Sequence, residues 1–317
     1  MHPEYKNGGN SPKPVSTIKQ FKVKNAYVSG PVALKHIVSV RKLLSDKRGN
    51  GYVLVIGGGE DYHGAPVIAG RAAYSTIAAL RAGAGYAKVA VPSSVLNPVR
   101  SLTPDIIAFA DGKNSLSFNK RIADEIMKAD SVCLGIGAGS SHSAISSVSK
   151  MIRICIKNSK RTVLDADGLR ALHRNTDMQR LGGNFVITPN SREFGALFGS
   201  IPDEKMLVDR IGAARRLAAE TGAVVVLKGH TTIITDGNAT TINRARDSAL
   251  AVMGTGDALS GIIAGLAPNS ADMYEAAVAG VYIHSEIGSM LYKSMGAHIL
   301  ASDIVKEMPI FFRRFGR

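Results

Sequence analysis

The chain has no tryptophan and only two cysteines among its 317 residues. Cys133 and Cys155 lie in no CxxC pair and no Cys/His cluster, so they build neither a disulfide framework nor a zinc site. Both read as small buried apolar residues in a reducing compartment, taken here as the cytoplasm. Long hydrophobic runs are also missing. Glycine or charge interrupts every apolar stretch well short of the roughly 18 residues that a membrane helix needs. The opening MHPEYKNGGNSPKPV lacks the apolar core of a secretory signal.

Several reaction classes lose support because their motifs are absent. The chain has no GxxxxGK[ST] phosphate loop, no HExxH and no GxSxG. Gly57-Gly58-Gly59 follows an apolar run, but Glu60-Asp61-Tyr62-His63-Gly64 does not complete GxGxxG, so a Rossmann reading is weak. Acidic residues are scarce, 25 Asp/Glu against 39 Lys/Arg, for a net charge of +14. The excess is terminal. Residues 1–48 hold ten Lys/Arg and two Asp/Glu, and residues 306–317 hold four Lys/Arg and one Glu, which leaves +3 for everything between. A solvated surface explains this better than a nucleic-acid groove, and no nucleic-acid or membrane partner is expected.

What is present is ordinary globular composition, 45% apolar and 20% charged, in a chain long enough for one large α/β domain or two smaller ones. Residues 1–48 read as a basic N-terminal arm, with one short helix around Pro31–Leu44, and residues 49–317 as a single domain. Strands are expected at Tyr52–Ile56, Tyr86–Val91, Ser131–Leu134, Thr162–Leu164, Phe185–Thr188 and Val224–Lys228. Helices are expected at Pro66–Ala82, Asn119–Met127, Ser143–Ile156 and Met206–Thr221. Alternation of this kind gives βαβ units and a mainly parallel sheet covered on both faces, and the near-continuous apolar strands agree with burial on both sides. Thr231–Thr235 and Thr240–Asn243 flank Asp236-Gly237, a two-residue hairpin signal at the sheet edge. Helices at Thr255–Leu266, Asp272–Leu291 and Ser302–Phe312 complete the chain.

Five segments could carry chemistry. In Gly254-Thr255-Gly256-Asp257, glycines at a helix start let N–H groups converge where the dipole is positive, and a carboxylate beside them could take a proton from an attacking hydroxyl. An ordinary capped helix explains the same residues. Asn190 and Glu193 bracket another helix start, as a capping box or as a holder of hydrated Mg²⁺. Asp165 and Asp167 end a strand, either as a turn or at a ligand edge. Lys228-Gly229-His230-Thr231-Thr232 could meet phosphate or ribose, or merely shoulder a hairpin. The glycine-rich exit Gly135–Ser140 would admit a pyrophosphate closely.

The order and joint occurrence of these segments resemble the ribokinase-like superfamily. Within it the chain most closely resembles the ADP/ATP-dependent NAD(P)H-hydrate dehydratases, through VLVIGGGEDYHGAP (53–66), AALRAGAGYAKVAVP (78–92), LGIGAG (134–139), VLDADGLRAL (163–172), VITPNSREFGALFG (186–199), VVVLKGHTTIITDG (224–237) and MGTGDALSGIIAGL (253–266). The resemblance implies a three-layer α/β/α sandwich with an antiparallel edge hairpin. It implies nicotinamide-nucleotide repair, in which the S-epimer of NADHX or NADPHX is phosphorylated on its ring hydroxyl and phosphate is eliminated. The products are NADH or NADPH, phosphate and AMP (or ADP). ADP is the expected donor, ATP the alternative.

By the same resemblance Asp257 is the base, and the backbone of Gly254, Thr255 and Gly256 is the anion hole. Lys228, Gly229, His230, Thr231, Thr232 and Gly256 bind the nucleotide. Ala65, Gly137, Asn190 and Asp257 bind the hydrate, and Glu193 organises Mg²⁺ through water. Asn190 stands where many bacterial members have histidine, and Asp46-Lys47-Arg48-Gly49 replaces His-Lys-Gly. Forty-eight residues cannot hold an epimerase domain, so an epimerase is expected as a separate chain. A homo-oligomer, often a tetramer in similar enzymes, is expected through helical faces near Ala276–Leu291. Two rivals remain: a small-molecule kinase of the hydroxyethylthiazole or sugar type, and a basic nucleic-acid adaptor with an inactive core.

Overall fold

A computed structural model describes residues 24–34, 44–59, 65–173, 181–245 and 247–315, with backbone alone at 65–70, 173 and 315. Among the described residues ten strands form one sheet: β1 Ala26–Val28, β2 Tyr52–Gly57, β3 Tyr86–Val91, β4 Ile107–Ala110, β5 Ser131–Ile136, β6 Arg161–Leu164, β7 Phe185–Ile187, β8 Val224–Leu227, β9 Thr231–Thr235 and β10 Thr240–Arg244. Their order is β1-β10-β9-β8-β7-β6-β5-β2-β3-β4. Every pair from β4 to β8 is parallel, and β9 runs antiparallel to both β8 and β10.

Among the described residues ten helices cover the sheet: α1 Ala65–Arg81, α2 Ser93–Leu102, α3 Lys120–Lys128, α4 His142–Lys157, α5 Asp167–His173, α6 Ser191–Phe198, α7 Leu207–Thr221, α8 Thr255–Leu266, α9 Met273–Met295 and α10 Ala301–Phe315. Alternation along β2 divides the core. Val53 and Val55 join Ala72, Ile262 and Ile283 from α1, α8 and α9. Tyr52, Leu54 and Ile56 join Ile122, Ile152, Leu169 and Leu217 from α3, α4, α5 and α7. A strand apolar at every position is thus buried on both faces, as a sheet between two helical layers requires. Cys133 on β5 and Cys155 on α4 are free and fully buried, one in each of the two core clusters.

Three details depart from the sequence reading. First, β1 pairs in parallel with β10, so one strand lies outside the hairpin. Pro31–Leu34 forms a single 3-10 turn, and the rest of the helix expected to Leu44 falls mainly outside the described residues. Second, the β9–β10 turn has four residues rather than two. Asp236 Oδ1 accepts from the N–H groups of Asn238 and Ala239 at 2.8 and 2.7 Å, which favours the wider turn. Third, the apolar face of α9 lies in the core, with Ala276, Ala279, Ile283 and Ile287 fully buried, while Tyr292 and Met295 stay exposed at the helix end. No described helix is long and apolar enough to cross a membrane.

Candidate active site

The chain runs outward through β2, β3 and β4, then returns to place β5 on the other side of β2. This reversal is a topological switch point at the carboxyl ends of β2 and β5, the place where ligands of open α/β sheets bind. The two glycine-rich exits meet there. A Cβ on Gly57 would lie 2.2 Å from the Ile136 carbonyl oxygen, and one on Gly59 would lie 2.7 Å from that of Ala138. Only glycine permits such an approach. Gly137 sits between them with φ of +59°.

Helix α8 begins at this edge. Gly254, its N-cap, has φ of +90°, and a Cβ there would lie 3.0 Å from the Ala301 methyl. Ala258 N–H bonds back to Gly254 O at 3.1 Å. The N–H groups ahead of it have no helical carbonyl one turn back, which creates the positive end of the helix. Thr255 does not offer its hydroxyl to a ligand: Oγ1 lies 2.8 and 2.9 Å from the carbonyls of Leu250 and Val252 and fixes the approach loop. Behind that turn, His284 of α9 is buried, and burial pushes its imidazole down to about 4.

Asp257, in the first turn of α8, is 3% exposed and receives two bonds from Arg71 of α1, Nε to Oδ2 at 2.7 Å and Nη2 to Oδ1 at 3.0 Å. Burial pushes the Asp257 carboxyl above the ordinary carboxylate range, and Arg71 opposes the rise. A carboxylate of raised basicity at a helix N-terminus is suited to accept a proton. Two glycines make this pairing possible. A Cβ on Gly261 would lie 2.2 Å from Ser75 O and one on Gly265 2.4 Å from Ala79 O, so α8 meets α1 backbone to backbone. Ser75 Oγ then donates to Asp257 O at 2.7 Å.

Lys228, just past β8, brings the second segment in. A Cβ on Gly256 would lie 3.4 Å from Lys228 Nζ, which sets the ammonium beside the start of α8. Nζ is 2.8 Å from Asp165 Oδ1 and 3.9 Å from Glu193 Oε2. Burial of Asp165 is outweighed by Lys228 and by Ser260 Oγ on its other oxygen at 2.7 Å, so its carboxyl lies below the usual range. The two acids in turn hold Lys228 charged against its burial. Gly229 and His230 are exposed, Thr231 opens β9, and Thr232 Oγ1 donates to Gly229 O at 3.2 Å.

Asn190 and Glu193 form a full capping box on α6: Glu193 N–H donates to Asn190 Oδ1 and Asn190 N–H to Glu193 Oε2, each at 2.8 Å. The capping role therefore holds, and the same carboxylate also faces Lys228. Asp167 accepts from Gly139 N–H at 3.0 Å and so ties the strand exits together. Ala65 opens α1, and its side chain lies outside the described residues. Arg71, Ser75, Ser260 and His284 were missed from the sequence. Arg71 left one trace: it is the only charge in the interior of the alanine-rich helix ending at Arg81.

The family model described as NAD(P)H-hydrate dehydratase matches residues 53–310. A bifunctional NAD(P)H-hydrate repair enzyme of Pyrobaculum aerophilum is 33% identical over 91% of this chain, which spans 56% of that enzyme's length. An ADP-dependent (S)-NAD(P)H-hydrate dehydratase of Cenarchaeum symbiosum is 34% identical over 92% of this chain and 99% of its own. Among solved structures, the ADP/ATP-dependent NAD(P)H-hydrate dehydratase of Bacillus subtilis, co-crystallised with ATP/Mg²⁺, is 26% identical with a TM-score of 0.73. That match covers 89% of this chain and 96% of the other.

Proposed function

The chain belongs to the NAD(P)H-hydrate dehydratase family, and we propose that it returns the S-epimer of hydrated NADH or NADPH to the reduced dinucleotide at the expense of ADP or ATP. The observation that carries this reading is the convergence of Asp257, the open start of α8 and Lys228 at one strand edge.

The ring hydroxyl of the hydrate is a poor leaving group. Asp257 takes its proton as the oxygen bonds to the terminal phosphorus of the nucleotide, and the P–O bond to AMP (or ADP) breaks with its electron pair. The N–H groups at the start of α8 stabilise the charge on the transferred phosphoryl, an oxyanion-hole role. The carbon–oxygen bond then breaks with its pair on phosphate, and loss of the neighbouring ring proton restores the double bond. Lys228 and the turn to Thr232, with Gly256, hold the nucleotide. Ala65, Gly137 and Asn190 flank the hydrate.

The donor set near Glu193 suits a water-mediated magnesium ion. Its side chain is 28% exposed, one oxygen is already bonded to Asn190 N–H, and no group of three His, Cys, Asp or Glu among the described residues could hold an ion directly. Mg²⁺ held there through water would supply positive charge to the nucleotide phosphates. Supply of the S-epimer by an NAD(P)HX epimerase activity, and assembly into a homo-oligomer, belong to the same proposal.

The test is to incubate the protein with hydrated NADH, Mg²⁺ and either ADP or ATP, and to follow the dihydronicotinamide absorbance. Nucleotide-dependent recovery is expected and names the donor. No recovery with either nucleotide, from protein that binds nucleotide, would overturn the reading.

A further inference from the structure

Asp257 meets charge from three elements: Arg71 on α1, Asp165 at the end of β6 and Lys228 at the end of β8. Only Arg71 bonds to it among the charged groups described, and it does so side-on, with Nε on Oδ2 and Nη2 on Oδ1. Such a fork fixes the plane of a carboxylate as well as its charge, which a lysine cannot do. A carboxylate offers about four lone-pair directions, and the fork occupies one on each oxygen.

We propose that Arg71 is the positioning residue of the base: it aligns the Asp257 carboxylate and holds it as the anion, leaving the second lone-pair direction of each oxygen to the substrate hydroxyl. This rests on the reading of Asp257 as the base. The fold supports it at three points. Ser75, one turn after Arg71 on α1, clamps the backbone of Asp257 at 2.7 Å. Gly261 and Gly265 let α1 and α8 approach closely enough for the fork to close. Arg71 is itself 21% exposed and stays charged despite its burial, because Asp257 faces it.

The sign of the effect follows. The base works only when ionised, so activity falls as pH drops through its titration. An adjacent opposite charge typically lowers a carboxyl pKa by about 1–3 units. In Arg71→Met the acid limb of kcat/KM is therefore expected to move up by about 1–3 pH units. Arg71→Lys keeps the charge but loses the fork, so its limb should return toward that of the unsubstituted protein while kcat stays reduced. A merely structural role would lower activity at every pH without moving the limb.

The experiment measures kcat/KM against pH for the unsubstituted protein, Arg71→Met and Arg71→Lys, with Asp257→Asn alongside and thermal melts to verify folding. An unmoved limb in folded Arg71→Met, with Asp257→Asn inactive, overturns the role of Arg71 and leaves the base standing. Near-normal turnover in Asp257→Asn overturns the base assignment itself. Should Arg71→Met fail to fold, Arg71→Lys decides: an unchanged kcat together with an unchanged limb contradicts the need for the fork.

Discussion

Asp165 and Lys228 form an ion pair of 2.8 Å across the carboxyl ends of β6 and β8, and Asp165 is 2% exposed. The second oxygen of Asp165 takes Ser260 of α8 at 2.7 Å. One carboxylate thus ties two strand ends to the helix whose start is the proposed anion hole, and it fixes the lysine beside Gly256.

Removing that carboxylate should cost more than a surface ion pair would. Asp165→Ala leaves the ammonium and the Ser260 hydroxyl without their acceptor, a loss on the order of 3 kcal/mol for a buried pair. A fall in Tm of several degrees is expected, with weakened nucleotide binding. An unchanged melt and unchanged affinity would contradict the linking role.

Gly256→Val places branched carbon where an added Cβ already lies 3.4 Å from Lys228 Nζ. Nucleotide affinity is expected to fall at least about tenfold, close to 1.4 kcal/mol. Isothermal titration checks this, and an unaltered Kd would remove Gly256 from the nucleotide site.

The α1–α8 crossing is tight at Gly261, so Gly261→Ala should destabilise the fold by about 1–3 kcal/mol, as overpacking does. It should also reduce kcat, because α1 carries Arg71. Urea unfolding with parallel kinetics tests both. Full stability with full turnover would show that the crossing tolerates a methyl group.

A second carboxylate gives a pH signature unrelated to catalysis. Glu125 is 10% exposed and accepts from Tyr52 and Lys88 at 2.7 Å and from Lys128 at 3.1 Å. Burial raises its carboxyl, but these partners outweigh it and lower it to about 2 from 4.5. The stabilisation is complete above pH 4.5 and disappears as pH falls toward 2. The Tm difference between the unsubstituted protein and Glu125→Gln should therefore be largest near neutral pH and shrink below 4.5. A constant difference across pH would contradict it.

Much of this architecture was legible because strand and helix patterns were strong where burial is two-sided. Tyr86–Val91 and Thr255–Leu266 were read to the residue. β4 and α2 were not, for local reasons. Ile107–Ala110 is only four residues long, and Ser93–Leu102 carries Pro98 within a helix of weak propensity, although Val95 and Val99 anchor it. β1 escaped because three residues in a polar stretch carry no periodicity. At the site, Gly254–Asp257 and Lys228–Thr232 announced themselves as glycine- and charge-bearing turns. The partners of Asp257 and Asp165 did not, since Arg71 and Ser260 lie within helices 186 and 95 residues away in the chain, and only the sheet order brings them together.

The most direct test follows the phosphorus. Phosphorus NMR of the protein turning over hydrated NADH with Mg²⁺ and its nucleotide should show free phosphate and AMP (or ADP) rising in equal amounts with dihydronicotinamide. A stable phosphate ester accumulating while that absorbance stays flat would make the protein a small-molecule kinase and contradict the elimination step.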